Sequence, residues 1–180
     1  MKLETYFMEI YKKSLHDITT FVFDYDGVFT DGKVVMTIDD EPLRQINTKD
    51  SYAMQLAVKM GFNVVIITGG KSKSLETVLN RLGVNDIYMR AHNKTETLKQ
   101  HLAKEGIKLA NVLYMGDDIP DYQTMLGVKL PCCPLDAAEE IRTISKYISP
   151  KKGGDGCVRD VIEQVMKVQG KWMKDEGFIW

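Results

Sequence analysis

The sequence lacks a surplus of either charge: 24 Lys and Arg stand against 25 Asp and Glu, for a formal net charge of -1. A nucleic-acid binder needs a basic patch to neutralise phosphates, so this balance points instead to a small-molecule partner and no nucleic acid. Cysteine and histidine are scarce, at 3 each. Cys132 and Cys133 are adjacent and Cys157 stands alone, which makes no disulfide framework and matches no zinc-ligand spacing. They read as small apolar residues in a reducing compartment. His16, His92 and His101 share no ligand spacing and read as surface or packing residues. Long hydrophobic runs are also missing. No window approaches the roughly 20 apolar residues that cross a membrane. The first twenty residues mix acidic with apolar side chains and lack the h-region and cleavage site of a secretory signal. A cytoplasmic protein without membrane association is expected.

What is present fits one globular domain over residues 1–180, with 44% hydrophobic and 27% charged residues. Residues 1–19 form an N-terminal extension and 150–180 a C-terminal tail. From Thr20 onward short β-rich runs alternate with amphipathic stretches, the pattern of an α/β parallel sheet with helices on both faces. Strands are expected at Thr20 to Phe23, Asn63 to Thr68, Asp86 to Ala91, Asn111 to Met115, Val128 to Pro131 and Tyr147 to Ile148. Leu75, Val78, Leu79 and Leu82 recur at helical spacing, and the run stops at Gly83, where a left-handed residue is expected. Weaker helices are expected at Tyr52 to Met60 before Gly61, Thr95 to Glu105 before Gly106, Pro120 to Leu126 before Gly127, Ala137 to Ser145, and Val158 to Val168. Residues 33–46 break the alternation: KVVMTI and PLRQI flank the polar turn Asp39-Asp40-Glu41, a β-hairpin flap after the first strand.

The chemistry sits at the strand ends. FVFDYDG places Asp24 and Asp26 just past the first strand, and YMGDDIPD places Asp117, Asp118 and Asp121 past a later one. Open α/β sheets bind ligands at that edge. One Asp after a strand is more often a helix N-cap. Two acidic clusters with a strand-end Thr68 and a Lys94 between them are harder to explain structurally, and crowded carboxylates call for a hard cation such as Mg²⁺. Lys94 alone would read as a solvated lysine at a helix start.

DYDG, ITGG with Thr68, HNK with Lys94, and GDDIPD resemble, in order and strand context, the four motifs of the haloacid dehalogenase superfamily. The resemblance implies a Rossmann-like fold and an Mg²⁺-dependent phosphatase, with Asp24 as nucleophile and Asp26 as acid and base. It implies Mg²⁺ on the Asp24 carboxylate, the Asp26 backbone carbonyl and Asp117, with Asp118 and Asp121 in support. Thr68 and Lys94 would hold the phosphoryl group. The interval from Thr68 to Lys94 leaves no room for a large cap, so neighbouring subunits would have to cover the site.

That layout, with NTKDSYAM after the hairpin and KKGGDGCVRD in the tail, is similar to a capless branch acting on eight-carbon sugar-acid phosphates as homotetramers. There Asn47, Thr48, Lys49, Asp50 and Ser51, with Gly69, Gly70, Asp26, Lys94 and Arg159, would contact substrate. Taken alone, NTKDS reads as a surface turn and KKGGDG as a flexible linker. Many eight-carbon relatives carry Arg where this chain has Gly70, while nine-carbon-acid phosphatases tend to carry Glu; the nine-carbon acid is the alternative substrate. A catalytically silent interaction module is disfavoured because the motif carboxylates and Lys94 are all present.

Overall fold

The computed structural model describes residues 11–38 and 42–179. Six strands, β1 (Thr20–Phe23), β2 (Asn63–Ile67), β3 (Asp86–Tyr88), β4 (Val112–Met115), β5 (Leu130–Cys133) and β6 (Tyr147–Ile148), form one parallel sheet in the order β3-β2-β1-β4-β5-β6. The main helices are α1 (Thr48–Lys59), α2 (Lys73–Arg81), α3 (Lys94–Glu105), α4 (Tyr122–Gly127), α5 (Glu139–Ile144) and α6 (Cys157–Val168). The α/β class expected from the alternation and the Rossmann-like fold that the resemblance implies are the observed ones.

The apolar strands alternate between two cores, as the period of two requires. Phe21, Phe23, Val64, Ile66, Leu113 and Met115 join Met54 of α1, Leu79 of α2 and Val161 of α6 on one face. Val22, Val65, Ile67 and Tyr114 meet Leu98 of α3, Met125 of α4 and Ile141 of α5 on the other. Helices therefore cover both faces. The chain runs from β1 outward to β3 and then returns to β4 on the opposite side of β1, which opens a crevice between β1 and β4. Their register pairs Phe23 with Met115, so the two carboxyl ends lie level.

Local differences have physical causes. Helix α1 begins at Thr48, before the expected Tyr52, because the Asn47 side chain accepts a hydrogen bond from Lys49 N and caps the first turn. The NTKDS segment is thus a helix start. Gly83 and Gly106 take the left-handed conformation after α2 and α3, but Gly127 does not and stays within α4. Strand β5 runs on through Pro131 to Cys133, sacrificing one ladder donor to pair Cys132 and Cys133 with β6.

At the expected hairpin, Val35 and Leu43 exchange two backbone hydrogen bonds of 3.1 and 3.0 Å in a single antiparallel bridge. Its expected turn, Asp39-Asp40-Glu41, lies outside the described residues, as do residues 1–10 of the N-terminal extension. Tyr11, Leu15 and Ile18 of that extension are buried in the core.

The glycine-rich run is packed, which corrects the linker alternative. Gly154 N donates to Val28 O at 3.0 Å, and Gly153 N to Asp136 Oδ1 at 2.9 Å. A Cβ on Gly153 would lie 2.0 Å from Gly27 O, so only glycine lets the tail sit against the loop after β1. Asp50 completes the attachment: its buried carboxylate accepts from Arg159 N at 2.7 Å and caps α6 from across the fold.

Candidate active site

The level ends of β1 and β4 bring three carboxylates together. Asp24, Asp117 and Asp121 each offer an oxygen within 4.8 Å of the others. Asp24 is the first residue past β1 and is anchored there, its N donating to Met115 O at 3.0 Å. Its Oδ1 accepts from Tyr25 N at 2.7 Å. Lys94, the first residue of α3, bridges two members of the cluster, with Nζ 2.8 Å from Asp24 Oδ2 and 2.7 Å from Asp121 Oδ1. Asp121 is fully buried and also accepts from the Tyr114 hydroxyl at 2.7 Å and from Asp117 N at 3.2 Å. Asp121 therefore orients Lys94, while the Asp117 carboxylate accepts no hydrogen bond among the described residues and its backbone carbonyl accepts from Ala138 N at 2.8 Å. Asp118 is exposed beside it.

Close packing demands two glycines here. A Cβ on Gly27 would lie 1.9 Å from Asp117 Oδ2, and one on Gly116 would lie 2.4 Å from Asp121 Cγ. These carboxylates occupy space that any larger residue would fill.

A cavity of about 360 Å³ opens onto the cluster, its lining including Asp24, Asp26, Thr68, Gly69, Gly70, Lys94, Asp117 and Asp118. The structure thus gathers Asp24, Asp26, Thr68, Lys94, Asp117, Asp118, Gly69 and Gly70 as grouped from the sequence. It does not place the other substrate candidates with them. Asn47, Lys49 and Arg159 line a separate cavity of about 490 Å³ that shares no lining residue with the first. Asp50 and Ser51 are buried and Thr48 is exposed, and none of the three lines either cavity. The cause is the early start of α1, which turns Asp50 into the cap of α6.

Two residues escaped the sequence. Arg44, in the hairpin's second arm, forks onto Asp26, with Nε 2.6 Å from Oδ1 and Nη2 2.9 Å from Oδ2. Tyr114 reads as one more apolar residue of a buried strand, yet its hydroxyl holds Asp121. Neither has a local sequence signal, because each acts through a partner brought near only by folding.

The electrostatics favour a cation. Burial first, and then the neighbouring Asp121 charge, push Asp24 up from 3.8 to about 7. Asp117 also rises to about 7, through burial and the charges of Asp24 and Asp121. Burial alone would lower Lys94, but the Asp121 and Asp24 carboxylates outweigh it and hold the ammonium charged. One cation is left to balance three carboxylates, and the all-oxygen donor set suits a hard divalent ion.

A pH dependence follows. Groups raised in the folded state stabilise it fully below their unfolded value of 3.8, and that contribution is lost as pH rises through about 7. Metal-free protein should therefore melt at progressively lower temperature between these limits. Mg²⁺, by compensating the ionised carboxylates, should raise the melting temperature more at pH 8 than at pH 5. Melting curves with and without 5 mM Mg²⁺, about the excess a millimolar site needs, check this; an equal shift at both pH values would refute a carboxylate site.

A parallel sheet with acidic tips, a lysine held between them and an open crevice defines a Rossmann-like hydrolase scaffold. The chain belongs to the haloacid dehalogenase-like hydrolase family, whose model matches residues 81–161. It is 33% identical over 161 residues, 89% of this chain and 86% of the relative, to the 3-deoxy-D-manno-octulosonate 8-phosphate phosphatase KdsC of Escherichia coli K12. Among solved structures it resembles the corresponding phosphatase of Yersinia pestis, with TM-score 0.88, 30% identity and coverage of 91% and 88% of the two chains. The Moraxella catarrhalis phosphatase in complex with magnesium, phosphate and KDO matches with TM-score 0.87 and 29% identity, covering 91% and 94%.

Proposed function

We propose that this chain is an Mg²⁺-dependent phosphatase that hydrolyses 3-deoxy-D-manno-octulosonate 8-phosphate to KDO and phosphate, a step toward lipopolysaccharide precursors in the cytoplasm. The observation that carries the proposal is the Lys94 ammonium set between Asp24 and Asp121, beside Asp117, at the ends of β1 and β4. The magnesium, phosphate and KDO in the Moraxella relative support it.

Asp24 attacks phosphorus with a carboxylate oxygen, forming an aspartyl-phosphate as the bond to the sugar oxygen breaks. Asp26 gives its proton to that leaving oxygen. Asp26 then takes a proton from water as the water oxygen bonds to phosphorus and Asp24 is released. Lys94 and Thr68 hold the non-bridging phosphoryl oxygens, and Asp121 keeps Lys94 aimed at them. Asp24, the Asp26 backbone carbonyl and Asp117 would hold Mg²⁺, which supplies positive charge between a carboxylate and a phosphate that otherwise repel.

Assembly supplies the missing cover. On the hairpin Val35 is 63% exposed, Met36 79%, Ile38 99% and Leu43 55%, an apolar set that needs a partner surface. A homotetramer joined through these hairpins would bury it, and could bring the cavity at Asn47, Lys49 and Arg159 to a neighbouring site.

The experiment is a comparison of kcat/KM for the eight-carbon 8-phosphate and a nine-carbon keto-deoxy acid 9-phosphate, with the sedimenting mass recorded on the same sample. The expected result is a preference of at least about 10-fold for the eight-carbon ester, as one altered pocket contact gives, from a tetramer. Preference for the nine-carbon ester would reassign the substrate, and a fully active monomer would remove assembly from the proposal.

A further inference from the structure

Arg44 does not line the acidic cavity itself but pairs from the hairpin with Asp26, which does, and its position is determined on three sides. Its fork holds both oxygens of Asp26. Its Cζ lies 6.0 Å from the centre of the Tyr25 ring, within cation–π range. Its Nη1 donates to Pro42 O at 3.3 Å. Arg44 also lines two cavities at the foot of the hairpin, of about 470 and 250 Å³, so it stands between the acidic cluster and adjoining open space.

This arrangement conflicts with turnover unless something changes. Asp26, with both oxygens held by one planar fork, cannot turn either toward a leaving oxygen. Bidentate guanidinium pairing is strong and geometrically exacting, so thermal release alone is a poor route. A second carboxylate is the natural competitor for the same fork. The acidic cavity offers no alternative receptor for one, since its lining cation, Lys94, is held by Asp24 and Asp121 at the place where the phosphoryl group binds.

We propose that Arg44 is a specificity-determining residue that selects a substrate with a carboxylate on its alcohol portion: the guanidinium passes from Asp26 to that carboxylate, and the exchange frees Asp26 to act. The inference rests on the phosphatase assignment above and on the role given there to Asp26. A phosphate ester without the carboxylate would bind the cluster but leave Asp26 clamped.

The test compares 3-deoxy-D-manno-octulosonate 8-phosphate with the same ester carrying a C1 carboxamide. In the wild-type protein, kcat/KM should favour the acid by at least about 100-fold, the scale set by an unmatched charged partner in a polar site. In Arg44→Met the two values should converge to within about 3-fold, the acid falling because it loses its fork and the carboxamide rising because Asp26 is no longer held. Arg44→Lys, which keeps the charge but not the fork, should fall between. The ratio within each variant cancels any change in the fraction folded. Retention of the wild-type ratio by Arg44→Met would overturn the role of Arg44 alone, whereas failure of the wild type to cleave either ester would overturn the phosphatase assignment beneath it.

Discussion

Asp24→Asn should lower kcat by at least about 10⁴-fold, the scale of removing a covalent nucleophile, while leaving the protein folded. Asparagine is nearly isosteric and keeps an oxygen to accept from Tyr25 N, so the geometry at the end of β1 survives. What disappears is the anionic oxygen that bonds to phosphorus. Stability should move the other way. Burial and the neighbouring Asp121 raise Asp24 to about 7, so ionising it above that pH costs the folded state, and the neutral amide removes the cost. At pH 8 without metal, Asp24→Asn should therefore melt above the wild type despite losing one partner of Lys94. Phosphate release and melting curves on the same preparation check both signs. Wild-type turnover in contaminant-free variant would exclude the covalent mechanism.

The residues gathered at the acidic cluster were legible because charge interrupts apolar runs at strand ends. A buried strand such as Thr20 to Phe23 tolerates no carboxylate, so its end and Asp24 are announced together, and β1 is observed with the bounds its composition gives. The same logic located Asp117 after β4, whereas uncharged Thr68 reads as the last residue of its strand and lies one residue past β2. The Asn47 to Ser51 segment was harder, because residues that form turns also cap helices. Asn, Thr and Asp cannot say by composition which they do; the cap bond from Lys49 N settles it structurally. Glycines of the tail pose the same ambiguity, resolved by tertiary contacts such as the 2.0 Å that a Cβ on Gly153 would leave to Gly27 O, between segments more than a hundred residues apart. Arg44 carries no local cue at all. Its meaning depends on the hairpin folding back so that a strand-arm arginine meets a strand-tip aspartate.

Lys94→Met isolates the remaining charge problem. Methionine matches the aliphatic stem but removes the ammonium that touches Asp24 at 2.8 Å and Asp121 at 2.7 Å. Three carboxylates within 4.8 Å then have no cation, and Asp121 is buried beyond solvent relief. Breaking a buried pair from one side costs about 3–5 kcal/mol. The cost should shrink toward pH 5, where Asp24 and Asp117, both raised to about 7, take up protons. Activity should fall about 10³-fold at any pH, since the phosphoryl oxygens lose their fixed cation. Adding Asp121→Asn removes the stranded buried charge while keeping an acceptor for the Tyr114 hydroxyl. That double variant should regain roughly 2 kcal/mol of the loss and none of the kcat. Denaturant titrations at pH 5 and 8, paired with phosphate-release assays, measure the two effects separately. Recovery of turnover along with stability would mean that Lys94 serves only to neutralise Asp121, and the phosphoryl group would need another partner.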